Sequence, residues 1–268
     1  MISVKKSNAI RYSDERPQDS DEALTWEEAL QISINGKPYT VTMRSPGQDV
    51  FLTVGLLLSE GIISSIEDIL SIHETPTILG DCNLSVNIEL RPEVIINQNI
   101  FKRSIASSAS CGVCGKVDIC DLVVPIRLAA TSKKLNTELI PQMLQTMREH
   151  QVTFESSGGS HAASAFTVNG DLLSVHEDIG RHNAVDKVIG ALLSTGALPI
   201  ADVLMISGRV SYEIVAKCAQ ARIPFLLAVS APSSLAVEFC TKSGITLIGF
   251  CRDRRFTIYT HPENIELE

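Results

Sequence analysis

The residues best suited to chemistry are two cysteines set two apart, in Ser110-Cys111-Gly112-Val113-Cys114-Gly115-Lys116. That spacing can place both sulfurs on one side of a turn. Gly112 and Gly115 free the backbone to aim N–H groups at a thiolate, and Lys116 adds a positive charge nearby. Each feature favours a lowered thiol pKa and a nucleophilic sulfur. The plainer reading is a pair of small residues in a buried turn, but a glycine-rich setting suits a merely structural pair badly. Metal, redox and sulfur-transfer chemistry all share the motif. Zinc needs two more ligands; the spacing to Cys120 is not a usual zinc spacing, and no second CxxC exists. A zinc deaminase needs H-x-E and P-C-x-x-C, whereas His161-Ala162-Ala163 lacks the Glu and Ser110 stands in place of the Pro. No bound zinc is therefore expected. A thioredoxin-like pair follows a strand and opens a helix, and residues 104–110 make a poor strand.

Three further groups of residues could hold a ligand. In Gly158-Gly159-Ser160-His161 the glycines permit a tight loop, and the histidine could donate a proton, stack on a ligand or simply sit in a turn. Glu177-Asp178-Ile179-Gly180-Arg181-His182-Asn183 leads into a helix. Free N–H groups and a positive dipole end suit an anion there. The alternative is capping by Asp178 or Asn183. Lastly, Ser207-Gly208-Arg209, Ser230-Ala231-Pro232-Ser233-Ser234 and Cys251-Arg252-Asp253-Arg254-Arg255 each leave the end of an expected strand. In open parallel sheets ligands bind at the carboxyl ends of the strands. Guanidinium groups make bidentate contacts with phosphate, so the three loops together favour a phosphorylated ligand such as a nucleotide.

The elements that must position these residues are read from apolar spacing. Gln31–Arg44 alternates about an Asn35-Gly36 turn, the pattern of a hairpin. Ser45-Pro46 is expected to open a helix, with Val50, Phe51, Val54, Leu57 and Leu58 as its stripe and Gly61 at its end. Leu84, Val86, Ile88 and Leu90 alternate as a strand. Leu128–Pro141 reads as a connector, followed by a helix with Met143, Leu144 and Met147 on one face. Helical spacing returns over His182–Leu193. Then apolar runs at Val203–Ile206, Phe225–Val229 and Ile245–Phe250 alternate with helices near Ser211–Ala221 and Ser233–Ser243. That alternation predicts a parallel sheet with helices on its faces. Three parts follow: a loose arm over 1–20, a smaller α+β lobe over 21–127 that ends in the CxxC loop, and an α/β domain over 128–268.

Composition excludes several classes. With 268 residues, 44% apolar and 20% charged, the chain is neither disordered nor fibrous. Its net charge of −8 makes it a poor general nucleic-acid binder. The longest stretches without a charged residue, Ile223–Val237 and Ser156–Gly170, are 15 residues each. A spanning helix needs about 20 apolar residues, so no membrane partner is expected. The polar N-terminus has no apolar stretch of a secretory signal. Seven cysteines without such a signal point to a reducing, cytoplasmic setting.

The chain resembles the FdhD/NarQ family of formate dehydrogenase accessory sulfurtransferases. The resemblance rests on VTMRSPGQD, SCGVCGK, GGSHAA, EDIGRHNAVDKVIG, ISGRVS, VSAPSSLAVE and GFCRDRRFTIYTHPE, in order from Val41 to Glu263. It implies that the α/β domain is a three-layer α/β/α, cytidine-deaminase-like fold. It implies transfer of sulfur from a cysteine desulfurase to the bis(molybdopterin guanine dinucleotide) molybdenum cofactor of formate dehydrogenase. Cys111 matches the persulfide carrier and Cys114 its companion. Phe250, Cys251, Arg252, Asp253, Arg254 and Arg255 match the segment assigned to the cofactor, which GDP-like nucleotides are expected to mimic. Arg209, Ser233 and His182 are candidates for the same ligand from their place at strand and helix ends. A homodimer is what the family suggests. The rival readings are a cofactor chaperone whose cysteines only protect, and a zinc-dependent deaminase.

Overall fold

The computed structural model describes residues 3–13, 16–76, 84–96 and 131–267. Cys111 and Cys114, the loop they form and the boundary between 127 and 128 lie outside the described residues. Two polar strands, β1 (Val4–Ser13) and β2 (Arg16–Thr25), pair antiparallel. The expected loose arm is thus a hairpin over most of its length. Next come β3 (Glu28–Ile34) and β4 (Lys37–Arg44), joined as expected by Asn35-Gly36, where both residues have positive φ. Helix α1 (Asp49–Ser59), β5 (Ile69–Pro76) and β6 (Leu84–Leu90) complete a four-stranded sheet of order β4-β3-β6-β5 with its helix.

Ser45 and Pro46 do not open α1. The helix starts three residues after Pro46, behind Gly47 and Gln48, both at positive φ. Arg44 explains the delay. It is buried, and its Nε donates to Asp49 at 2.6 Å, while the Asp49 carboxylate also accepts from the Gly47 N–H at 3.2 Å. A short turn must intervene to let residue 44 reach residue 49.

Beyond the undescribed segment, β7 (Leu135–Asn136) leads into α2 (Leu139–Glu149), then α3 (Val152–Ser157). Pro141 therefore belongs to the first turn of a helix, where its missing N–H costs nothing, and not to a connector. The rest runs β8 (His161–Phe166), β9 (Leu172–Asp178), α4 (Arg181–Ser194), β10 (Val203–Ile206), α5 (Tyr212–Gln220), β11 (Phe225–Ala228), α6 (Ser234–Ser243), β12 (Thr246–Arg252), β13 (Arg255–Ile258) and β14 (Ile265–Glu266). β14 pairs with β7.

The main sheet has the order β13-β12-β11-β10-β8-β9. Only β10, β11 and β12 run parallel, and β8, β9 and β13 are added antiparallel. The sheet is mixed where the sequence pattern predicts a parallel one. Period-two alternation divides its side chains between the faces. Leu204, Ile206, Leu226, Ala228 and Leu247 join one core with α1, α4, α5 and α6. Val203, Met205, Phe225, Leu227 and Ile248 meet Ile140, Met143, Leu144 and Met147 of α2. The first core also contains Leu30, Ile32 and Ile34 of β3 and Val86 and Ile88 of β6, so the small sheet shares its interior with the large one. Each such buried side chain contributes about 1.5–3 kcal/mol.

The joint between the sheets is the crossing of α1 and α4. A Cβ on Gly190 would overlap the Phe51 carbonyl oxygen and lie 2.8 Å from the Gly55 nitrogen. A Cβ on Gly55 would likewise overlap the Asp186 carbonyl and lie 2.8 Å from the Gly190 nitrogen. Two facing glycines bring the helix backbones into direct contact.

Candidate functional site at the strand-end edge

Because β10, β11 and β12 are parallel while β8 and β13 are antiparallel to their neighbours, one edge of the sheet collects the ends of β9, β10, β11 and β12 and the starts of β8 and β13. The loops there are stitched by backbone. Val210 N–H donates to Ala231 at 3.1 Å, Ser233 N–H to Val210 at 2.9 Å, and Phe250 N–H to Ser230 at 3.2 Å. Arg209, Ser233 and Phe250 thus belong to one continuous surface. Gly249 makes the last junction possible, since a Cβ there would lie 3.0 Å from the Tyr259 ring and 3.1 Å from Pro232.

The arginine segment is a hairpin and not an open loop. Arg252 ends β12, Arg255 opens β13, and the two are paired across Asp253-Arg254. Asp253, at φ 53°, supplies the left-handed residue that glycine often provides and that aspartate tolerates. Arg252, Arg254 and Arg255 are all exposed. Phe250 sits at an irregularity in the β12–β13 register with φ 55°, an uncommon conformation for a bulky residue, and its ring is 42% exposed. Strain of this kind collects at functional sites. Cys251 is different. Its side chain is buried in the core on the α2 side, and burial pushes its thiol up to about 11. It does not share the surface of its neighbours. Ser233 is exposed, and its Oγ caps α6 by accepting from the Ala236 N–H at 3.2 Å.

At the other end of the edge, the segment that leads into α4 does two jobs. Asp178 is fully buried, pairs with Lys187 at 2.8 Å and accepts from the N–H groups of Gly180 and Ser45. Asn183 ties Asp178 to the Met43 carbonyl. Glu177 accepts from the N–H groups of Thr153 and Phe154 and from the Ser160 hydroxyl. These three are structural. Arg181 and His182 face the edge: His182 is buried, with Nε2 3.4 Å from the Ser211 hydroxyl, and the Arg181 stem packs near Gly208. In the GGSH segment, Gly158 ends α3 at φ 67°, and Gly159 admits the Thr25 side chain of the hairpin. His161 is half-buried at the start of β8. Burial first, then the nearby charge of Arg181 and Arg209, makes its ring less basic than usual against an opposing pull from Asp178.

Among the described residues, no three His, Cys, Asp or Glu side chains gather as a metal-holding group. None of their helices is long and apolar enough to cross a membrane. Sequence reasoning found both ends of the edge but missed the buried pair of Asp186 with Lys217, at 2.8 Å, because nothing in a linear pattern marks two charges brought together from α4 and α5.

The mixed sheet with its basic, loop-stitched strand-end edge defines an α/β protein. A family model described as the FdhD/NarQ family matches residues 25–266, and the chain belongs to that family. It is 37% identical over 267 residues to the sulfur carrier protein FdhD of Sulfolobus acidocaldarius, covering 99% of this chain and 100% of that protein. It is 37% identical over 271 residues to the protein of that name in Streptomyces avermitilis, covering 98% and 96%. Against the Mycobacterium tuberculosis protein of that name identity is 41% over 253 residues, covering 91% and 92%. A crystal structure from Desulfotalea psychrophila, assigned as a formate dehydrogenase accessory protein, superposes with a TM-score of 0.78 over 98% of this chain and 99% of that one; at 22% identity it speaks to the fold alone.

Proposed function

We propose that the chain is a sulfur carrier that takes sulfane sulfur from a cysteine desulfurase and delivers it to a bis(molybdopterin guanine dinucleotide) molybdenum cofactor for formate dehydrogenase. The relatives' shared name supports the sulfur-carrier part of this reading. In the first step the Cys111 thiolate attacks the outer sulfur of the donor's persulfide. The donor's S–S bond breaks, its cysteine leaves as thiolate, and Cys111–S–SH forms. In the second step the Cys114 thiolate attacks the inner sulfur of that persulfide. Sulfide leaves toward the molybdenum substrate, and a Cys111–Cys114 disulfide remains for a cellular dithiol to reduce. The alternative second step passes the outer sulfur to Cys114 before delivery. The α/β domain is read as the three-layer, cytidine-deaminase-like form, the protein as a homodimer, and its compartment as the cytoplasm.

The observation that carries the ligand half of this reading is the edge itself. It sets an exposed aromatic ring beside three exposed arginines at the end of a parallel strand, in a chain of net charge −8. Phe250 offers a face for a purine base, and Arg252, Arg254 and Arg255 offer forks for its phosphates. Calorimetry with GDP tests it. Arg255→Ala should weaken GDP binding about tenfold, the worth of one charge-assisted hydrogen bond. Lys242→Ala, exposed on α6, should leave it unchanged. Unchanged affinity in the first variant, or equal loss in both, removes the arginine turn from the site.

A further inference from the structure

Strand β9 is the last strand of the main sheet, four steps from β12 and so about 19 Å from it at strand spacings of about 4.8 Å. A cavity of about 270 Å³ runs along its outer side. Val175, His176 and Glu177 form the floor, the Ser45–Gln48 turn forms one wall, and Val152 at the start of α3 lies in the other. We propose that this cavity takes the carboxy-terminus of an extended polypeptide, which adds to the sheet as a strand parallel to β9. The inference is independent of the nucleotide reading of the strand-end edge.

The main-chain directions carry it first. Ala162 accepts from the Ser207 N–H at 3.0 Å and donates to the Ser207 hydroxyl at 2.9 Å, so its backbone points to β10. Directions alternate along a strand, so Ser164 points the same way. Their partners on β9, Glu177 and Val175, therefore point away from β8. The Glu177 carbonyl agrees, since it accepts from the Lys187 Nζ at 3.3 Å. The Val175 N–H and C=O and the Glu177 N–H have no partner among the described residues. They make a donor–acceptor–donor row, the complement of a peptide main chain. Such a row on an outer strand is a template for pairing.

Charge sets the direction of the incoming chain and its end. The row stops at Glu177, whose carbonyl is already taken by Lys187. In a parallel pair, the last residue of the incoming chain gives its N–H to the Val175 carbonyl, and its carboxylate accepts from the Glu177 N–H. That places the carboxylate beside the Lys187 ammonium. An antiparallel chain would bring its own ammonium there instead. Lys187 is 2% exposed, and even paired with Asp178 its charge acts on the His176 ring. The Glu177 carboxylate is turned aside, held by the N–H groups of Thr153 and Phe154 and by the Ser160 hydroxyl. Pro46 on one wall and Val152 on the other give apolar surface to side chains that alternate between the two sides. The volume is that of about nine waters at about 30 Å³ each, room for a chain end of about two residues.

The test is calorimetry of the full chain with the acetylated tripeptide Ala-Val-Ala, as the free acid and as the carboxamide. The acid should bind, and the carboxamide should bind about tenfold more weakly, the worth of one charge-assisted hydrogen bond. Val175→Pro removes the outward N–H at a position where an outer strand tolerates proline, and should weaken the acid up to about tenfold. Val152→Glu, at an exposed position, sets a carboxylate at the rim without touching the fold. It should weaken the acid about threefold at low salt and leave the carboxamide unchanged, which keeps the test decisive if Val175→Pro melts early. Arg255→Ala should leave the acid unchanged. No binding of the acid, equal binding of acid and carboxamide, acid binding unaltered in Val152→Glu, or an equal loss in Arg255→Ala overturns the proposal.

Discussion

Helix α4 serves two regions that differ in kind. Along its length it meets α1 in a joint where glycine faces glycine and the buried charges are matched. Lys187 meets Asp178, and Lys217 of α5 meets Asp186 at 2.8 Å with the Ser59 hydroxyl on the same carboxylate. At its start it meets the strand-end edge, where the Arg181 Nε is buried without a hydrogen-bond partner among the described residues, Phe250 holds a left-handed conformation and three arginines stand in solvent. Breaking one partner of a buried pair costs about 3–5 kcal/mol, so the joint tolerates little change. The edge keeps strain and unpaired charge that folding alone would remove. That contrast separates the packed length of the helix from its start at the open edge.

The largest expected effect breaks the joint. Gly190→Ala puts a methyl into the Phe51 carbonyl, against backbone that cannot turn aside as a side chain can. Stability should fall by at least about 3 kcal/mol, beyond usual overpacking, as read by urea denaturation. A loss below about 1 kcal/mol would mean that the helices are not in backbone contact.

A smaller effect is pH-dependent. His176 of β9 lies against the Phe51 ring, with centroids 5.8 Å apart, and burial, then the charge of Lys187, lowers its pKa from 6.5 to about 4. The unfolded chain binds a proton here near pH 6.5, whereas the folded chain does so only near pH 4. Stability from this group is therefore full above pH 6.5 and lost as the pH falls toward 4, by about 3 kcal/mol in all. His176→Gln should flatten the difference between denaturation curves at pH 7 and pH 4.5. An identical pH profile in both proteins contradicts the burial of the ring.

The smallest effect belongs to the edge. Arg254→Ala, at an exposed turn position, should change stability by less than about 0.5 kcal/mol. A loss comparable to that of Gly190→Ala would erase the contrast between the regions.

What the sequence made legible follows from how each element is specified. The β3–β4 hairpin, α4 and the apolar strands β10, β11 and β12 carry their signal in their own residues, by turn chemistry or continuous apolar runs. The β1–β2 hairpin does not. Its strands are lysine, serine, aspartate and glutamate with little alternation, and they gain order from each other and from packing near α3, as at Thr25 with Ser157. β8 reads His-Ala-Ala-Ser-Ala-Phe, without a β-branched residue, and is a strand because β10 and β9 flank it. Ser45-Pro46 looked like a helix start, but Ser45 serves distant partners, its hydroxyl accepting from Ile179 and its carbonyl from Lys187. The edge was legible at its arginine turn because the charge is concentrated there. His161 and Arg181 became neighbours only through the antiparallel placement of β8. Cys251 turns inward because the irregularity between Gly249 and Arg252 breaks the alternation of β12 and brings it to the same core as Ile248.

Intact-mass measurement after incubation with a cysteine desulfurase and cysteine tests whether Cys111 carries sulfur. The unaltered chain should gain one sulfur atom that a reductant removes, Cys111→Ala should gain none while binding GDP normally, and metal analysis of the same sample should show no stoichiometric zinc. A chain that gains no sulfur, or a Cys111→Ala variant that gains it in full, would rule out Cys111 as the carrier.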